Sequence, residues 1–215
     1  MEYFAKKFVC GYPATKFGAC DDIIDITKQL SNYGLKYYIH VDAALYGGIP
    51  NNQKNAPIIT NIASLGISSI SVSLHKYLGV PYVKGVFLAL QKPVMEFIPY
   101  IGMTDSTTAG SRDIMPFSVR QQIYEVLYLS DENEYNKNIL FFENLLVQRG
   151  ICFLRSCNGN IFVIDKPVDE ICNKYQLSTF SIAEKCGTEI VKAHIIIFPF
   201  HSESAMYELV DDLCK

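Results

Sequence analysis

Apolar residues follow two rhythms along this chain. In the first half they gather in short runs closed by turn residues. Phe8-Val9-Cys10-Gly11 reads as a short strand entering a turn at Pro13. Tyr37 to Val41 is almost continuously apolar, the pattern of a parallel strand covered on both faces. Ser68 to Ser73 and Gly85 to Leu90 read as two further strands. Between them, Asp21 and Asp22 open a helix that runs to about Asn32 and stops at Gly34, since carboxylates suit a helix amino terminus. A loop with Gly47, Gly48 and Pro50 follows, then a short helix from about Pro57 to Ser64. Strand, helix, strand, helix, strand at this spacing predicts βαβ units.

The second half changes to helical spacing. Phe117 to Leu129 and Asn133 to Gln148 carry apolar stripes, with Ile139, Phe142, Leu145 and Leu146 on one face and Gly150 as a C-cap. A strand at Asn160 to Ile164, a helix near Val168 to Tyr175, a strand at Ala193 to Phe198 and a helix from Ser202 to Cys214 complete the pattern, Ser202 being a good N-cap. The change of rhythm predicts two domains, residues 1–115 and 116–215. No internal repeat is present.

Composition narrows the classes. The 215 residues are 49% hydrophobic and 19% charged, enough for a sizeable core. The net charge of −3, with no basic block, argues against nucleic acid as a partner. No apolar run approaches the roughly 20 residues of a membrane span. Met1 to Lys7 lacks a hydrophobic signal core, so a cytoplasmic location is expected. The seven cysteines are odd in number and form no CxxC, which points to reduced thiols.

The candidate chemistry lies in two segments, His40-Val41-Asp42-Ala43-Ala44 and Ser71-Val72-Ser73-Leu74-His75-Lys76. Each ends a buried-looking run on a charged residue. A carboxylate and a primary amine at adjacent strand ends are what a pyridoxal 5'-phosphate (PLP) site requires. The amine forms an imine with the cofactor aldehyde, and the carboxylate keeps the ring nitrogen protonated. The bland readings are a loop lysine and a turn aspartate. His40 is expected to face the core or the sheet end, His194 to be structural and His201 to face solvent. A metal site from His40, Asp42 and His75 has only a His-x-Asp pair behind it, so none is expected.

Both segments, with their neighbours through Gly48 and Gly79, resemble the PLP-dependent group II amino-acid decarboxylases, most of all the bacterial-type histidine decarboxylase branch. Thr15-Lys16-Phe17-Gly18-Ala19-Cys20-Asp21-Asp22, Thr108-Ala109-Gly110-Ser111-Arg112 and Lys192-Ala193-His194-Ile195-Ile196-Ile197 resemble further segments of that family, in the same order. The resemblance implies the aspartate aminotransferase-like α/β fold, fold type I, in incomplete form. It corresponds to the carboxy-terminal half of the large PLP-binding domain plus the small carboxy-terminal domain. It implies that Lys76 carries the cofactor imine, that Asp42 pairs with the ring nitrogen, and that Ala44 packs under the ring. Ser73 and His75 would hold the phosphate, His75 also serving the substrate, and Thr15 would reach the ring oxygen or the substrate carboxylate. The family carries a long further stretch upstream, which supplies a phosphate loop, a ring-stacking aromatic and part of the substrate pocket.

This chain departs from the family at Pro13-Ala14-Thr15, where a Gly-Thr-Thr turn is usual, at Leu74, and at Asp113-Ile114-Met115. Three readings follow. The first is a decarboxylase acting on an amino acid, histidine first, as a homodimer or completed by a complementary amino-terminal half. The second is a truncated non-catalytic remnant or pseudoenzyme. The third is another PLP enzyme of the same fold, a lyase or aminotransferase.

Overall fold

A computed structural model describes residues 6–14, 16–49, 62–77, 79–90, 96–99, 102–105, 134–156, 159–183 and 187–215. Thr15, the helix expected at Phe117 to Leu129, the Thr108–Arg112 segment, residues 113–115 and the 115/116 boundary lie outside them. Of the short helix expected near Pro57 to Ser64, the described part is a 3-10 turn at Ile62–Leu65.

The first sheet has the order β1 (Lys6–Gly11), β2 (Tyr37–Asp42), β3 (Ser69–Ser73), β4 (Gly85–Ala89). The first three strands are parallel, as the βαβ pattern predicts, whereas β4 runs antiparallel to β3. Hydrophobic pattern reports burial, not strand direction, so β4's orientation had no signal. Helix α1 (Ile23–Asn32) crosses from β1 to β2. Asp22 caps it by accepting the Asp25 amide at 2.9 Å, and Gly34, at φ +63°, turns the chain back. The helix presents Ile23, Thr27 and Leu30 to Cys10, Ile39, Val41, Ile67 and Ile70.

Among the described residues, strand β2 is covered on one face rather than two. Ile39 and Val41 are fully buried against α1, while Tyr38 and His40 are half-buried and Asp42 is exposed. By register, the second face also carries Val9, Ser71 and Phe87, with Val9 and Phe87 73% and 62% exposed.

A hairpin of β5 (Glu96–Ile98) and β6 (Met103–Asp105) follows. The carboxy-terminal part is an antiparallel sheet of order β7 (Phe153–Arg155), β8 (Ile161–Asp165), β10 (Glu189–Ile196), β9 (Ser178–Ala183). Helices α2 (Glu134–Gln148) and α4 (Glu203–Leu213) contribute to its core, and α3 (Asp169–Lys174) links β8 to β9. Phe142, fully buried, meets the Phe162 ring edge-on at 5.1 Å. Asn138 of α2 donates to the carbonyls of Phe198, Pro199 and His201 at 3.2, 2.9 and 2.8 Å, fixing the turn before α4.

This second core also takes in Leu45, Tyr46 and Ile49, which follow β2, and Tyr77, which follows β3. The ends of two strands of the first sheet are thereby anchored in the packing of the second.

His201 corrects the sequence expectation. It is half-buried, edge-on to Phe198 and Phe200, and its Nδ1 accepts the Phe198 amide at 3.4 Å. Desolvation lowers the pKa of His201, and of His194 on β10, below the ordinary imidazole value.

Two consequences are measurable. Phe142→Ala removes a ring with nothing to fill its place, so urea denaturation will show a loss of about 3–5 kcal/mol. Because the folded chain disfavours charging His194 and His201, their contribution is complete above about pH 6.5, the unfolded value, and falls as pH drops below it. Urea midpoints will therefore decline from pH 7 to pH 5, and His201→Gln will flatten that decline.

A candidate cofactor edge at the ends of three parallel strands

The carboxyl ends of parallel strands are where an open α/β sheet gathers ligand-binding side chains. Here the register pairs Gly11 with Asp42 and Asp42 with Ser71. Beyond it, three backbone bonds stitch the departing chains together. Tyr12 donates to the Asp42 carbonyl at 2.8 Å, Ala43 to Ser71 at 3.0 Å, and Ser73 to the Ala44 carbonyl at 3.0 Å. The last of these puts Ala44 and Ser73 side by side, three residues before Lys76.

Asp42 is the last residue of β2. One of its carboxylate oxygens accepts the Ala44 amide at 3.1 Å, a local turn that holds the side chain at the edge. No ion pair to Asp42 is formed among the described residues, and the carboxylate is exposed. After it, Gly47 passes against β3. A Cβ there would lie 2.5 Å from a Val72 methyl and 3.1 Å from the Ala43 Cβ, so the approach requires glycine.

Lys76 is half-buried in the turn after β3. Leu74 and Val80 are buried on either side of it and joined by a backbone bond of 3.3 Å, and Tyr77 is buried beside Tyr135. The Lys84 carbonyl accepts both the Leu74 amide, at 2.8 Å, and His75 Nδ1–H, at 3.0 Å. A carbonyl only accepts, so Nδ1 carries a proton and the neutral ring presents Nε2 as an acceptor. Gly79, at φ +63°, lets the turn close against the Phe200 ring, which would lie 3.5 Å from a Cβ at that position.

The structure thus brings Asp42, Ala44, Ser73, His75 and Lys76 to one edge. Thr15 lies outside the described residues. The loop that contains it starts from the same edge, closed by the Gly11 amide on an Asp21 carboxylate oxygen at 2.7 Å. His40 departs from its expected core or sheet-end role. On the face that carries Asp42, its Nδ1 meets the Ser69 hydroxyl at 2.8 Å and its Nε2 the Ser71 hydroxyl at 3.3 Å, with Phe87 stacked at 5.6 Å. The signal for this was present as serines at every second position of β3, one face of a strand.

The donor set fits PLP by its chemistry. It offers a carboxylate for a protonated ring nitrogen, a primary amine for an aldehyde, and hydroxyl and imidazole groups for a phosphate.

Known proteins agree with the fold. A scan of protein-family models finds no match. The solved structure of L-methionine decarboxylase from Streptomyces sp. 590 superposes with a TM-score of 0.73 at 18% identity, covering 97% of this chain and 52% of that one. Glutamate decarboxylase from Lactobacillus brevis gives 0.70 at 18% identity, over 95% and 53%. These define the fold as type I of the PLP-dependent enzymes. In sequence, the chain is 33% identical over 211 residues to serine decarboxylase 2 of Oryza sativa subsp. japonica, covering 92% of this chain and 42% of the relative. It is likewise 33% identical over 211 residues to histidine decarboxylase of Vibrio campbellii, covering 93% and 52%. The chain is similar in sequence to the PLP-dependent group II amino-acid decarboxylases, and it spans about half the length of the curated relatives it matches.

The tightness of the edge is testable. Gly47→Ala drives a methyl into Val72 and will lower stability by about 1–3 kcal/mol in urea denaturation. Gly34→Ala, with open space around its Cβ position, meets only the cost of its left-handed backbone.

Proposed function

We propose that this chain is the lysine-bearing half of a PLP-dependent amino-acid decarboxylase. Lys76 is the amine that bonds the cofactor, and Asp42 is the carboxylate that holds the ring nitrogen protonated. The observation that carries this reading is the Ser73–Ala44 rung, 3.0 Å long, which joins the chain leaving Asp42 to the chain approaching Lys76. When bound, PLP supplies the electron sink for the bond pair released as carbon dioxide departs. The protein's part is to place charge and protons. The short side chain of Ala44 leaves the space beside Asp42 open. Ser73 offers a hydroxyl donor to the phosphate. His75, its Nδ1–H spent on Lys84, offers Nε2 to take or hold a proton from the substrate or the phosphate. Thr15 belongs to the same proposed set by the family resemblance, which gives it the ring oxygen or the substrate carboxylate as its partner. Such preorganised electrostatic groups supply most of a protein's share of rate enhancement.

Histidine is the first substrate candidate. Serine decarboxylase 2 of Oryza sativa stands at the same identity as the Vibrio campbellii histidine decarboxylase, so serine is tested beside it. Buried and exposed cysteines are alike unpaired among the described residues, which supports a reducing, cytoplasmic setting.

A second reading, a remnant without activity of its own, is favoured by the first sheet. Strand β4, Gly85-Val86-Phe87-Leu88-Ala89, has no charged residue or proline to guard its edge, and Val86, Phe87 and Leu88 are exposed. Such an edge calls for a covering polypeptide. The complementary amino-terminal half of a decarboxylase is our proposed cover, and self-association is part of the same reading.

An absorption titration separates the readings. With PLP, the chain will develop a visible band at about 420 nm that Lys76→Ala abolishes. Co-expression with the amino-terminal half of the Vibrio campbellii enzyme will then yield carbon dioxide from histidine or serine. A lysine-dependent band with no product supports the remnant, and a band that survives Lys76→Ala contradicts both.

A further inference from the structure

One row behind Asp42, the first sheet carries a histidine that the proposed chemistry does not use. Register places Gly11, Asp42, Ser71 and Phe87 in one row across the sheet, and Val9, His40, Ser69 and Ala89 in the row behind it. Both rows lie on the face opposite Ile39 and Val41, since side chains alternate along a strand. His40 belongs to the rear row but leans into the front one. Its Nδ1 meets the Ser69 hydroxyl of its own row at 2.8 Å, and its Nε2 meets the Ser71 hydroxyl of the Asp42 row at 3.3 Å. The Phe87 ring, also of the Asp42 row, stacks on it at 5.6 Å and 24°. The imidazole is thus fixed at both edges and on one face.

What the ring fixes in return is Ser71. Neighbouring strands lie about 4.8 Å apart, so the Ser71 side chain stands beside that of Asp42, on the same face and at the same level. A hydroxyl in that place is a ready donor to a carboxylate. Its oxygen is held at His40 Nε2 instead, and among the described residues it forms no hydrogen bond with Asp42. A serine hydroxyl both donates and accepts, so either tautomer of the ring keeps hold of it. Asp42 Oδ1 accepts the Ala44 amide at 3.1 Å, and Oδ2 carries no hydrogen bond among the described residues. Oδ2 is therefore the oxygen that remains for a protonated ring nitrogen.

Given the proposed role of Asp42, on which this step rests, we infer that His40 is a positioning residue for that carboxylate. By holding the Ser71 hydroxyl, it keeps a competing donor off Oδ2 and leaves that oxygen open to the cofactor. Without the imidazole, rotation of the Ser71 side chain brings its hydroxyl to Oδ2, and the cofactor must displace it.

Paired variants test this. His40→Phe keeps a flat ring against Phe87 and removes both nitrogen contacts, while Ser71→Ala removes the competing hydroxyl. PLP affinity is read from the lysine-dependent band at about 420 nm. His40→Phe will bind PLP about tenfold more weakly than the native chain, the effect of one hydrogen bond to a charged group. Ser71→Ala will bind close to native, and the double variant His40→Phe/Ser71→Ala will return close to native. His40→Gln, whose amide reaches about as far as Nε2, will retain most of the affinity. Recovery by deleting a second group is a result that a merely structural histidine does not produce. The chain without cofactor gives a second readout. At fixed pH, the carbon NMR signal of the Asp42 side-chain carboxyl will move in His40→Phe and return in the double variant. Native affinity with an unmoved carboxyl signal in His40→Phe would overturn the inference, as would a double variant as weak as His40→Phe. Absence of a lysine-dependent band in the native chain would instead sink the cofactor reading. The carboxyl signal then decides alone: movement with recovery supports the hold on Ser71, and no movement overturns it.

Discussion

The parallel pairing of β2 with β3, in the register that sets Asp42 against Ser71, is the constraint on which everything else rests. Side chains alternate along a strand, so a slip of one residue would turn Asp42 toward α1, where its charge would lie between Cys10 and Ile70, and turn Ile39 and Val41 out to the open face. That alternative is closed from both directions. Burial of Ile39 and Val41 selects the face, and the Ala43–Ser71 and Ser73–Ala44 bonds select the level. Asp42 and Lys76, far apart in sequence, then follow neighbouring strand ends.

The carboxy-terminal part holds that edge in place. Leu45, Tyr46 and Ile49 carry the chain after Asp42 into the second core, and Tyr77 carries the chain after Lys76 there. Phe200 meets Gly79 in the turn between, on a loop that Asn138 fixes through three carbonyls. Loops that bear reactive residues are ordinarily the mobile parts of a fold. Here each is gripped within a few residues of Asp42 or Lys76.

Much of this was legible in the residues. The apolar run before Asp42, the carboxylate cap of α1 and the described helices after Glu134 follow from local rules about burial and capping. The placing of Asp42 and Lys76 after neighbouring strands followed from reading two strands in one parallel sheet. What escaped has physical causes. Strand β9, Ser178 to Ala183, is mostly exposed and rich in hydroxyls, so its alternation carries little apolar signal. Strand β10 begins at Glu189, four residues before the expected start at Ala193, through polar positions on an exposed stretch. The direction of β4 depends on chain connectivity, which periodicity does not encode. His201 looked like a surface residue because nothing local announces that Phe198 and Phe200 enclose it. Likewise, the one-sided cover of β2 is a property of what packs around the strand, not of the strand.

The central claim is that the amine of Lys76 is the group that bonds the cofactor. Incubation with PLP, reduction with borohydride and peptide mapping by mass spectrometry test it most directly. The account predicts a single dominant pyridoxyl modification, on Lys76, much reduced in Asp42→Ala. Labelling spread over exposed amines such as Lys137 and Lys215, with Lys76 unmarked, would contradict it.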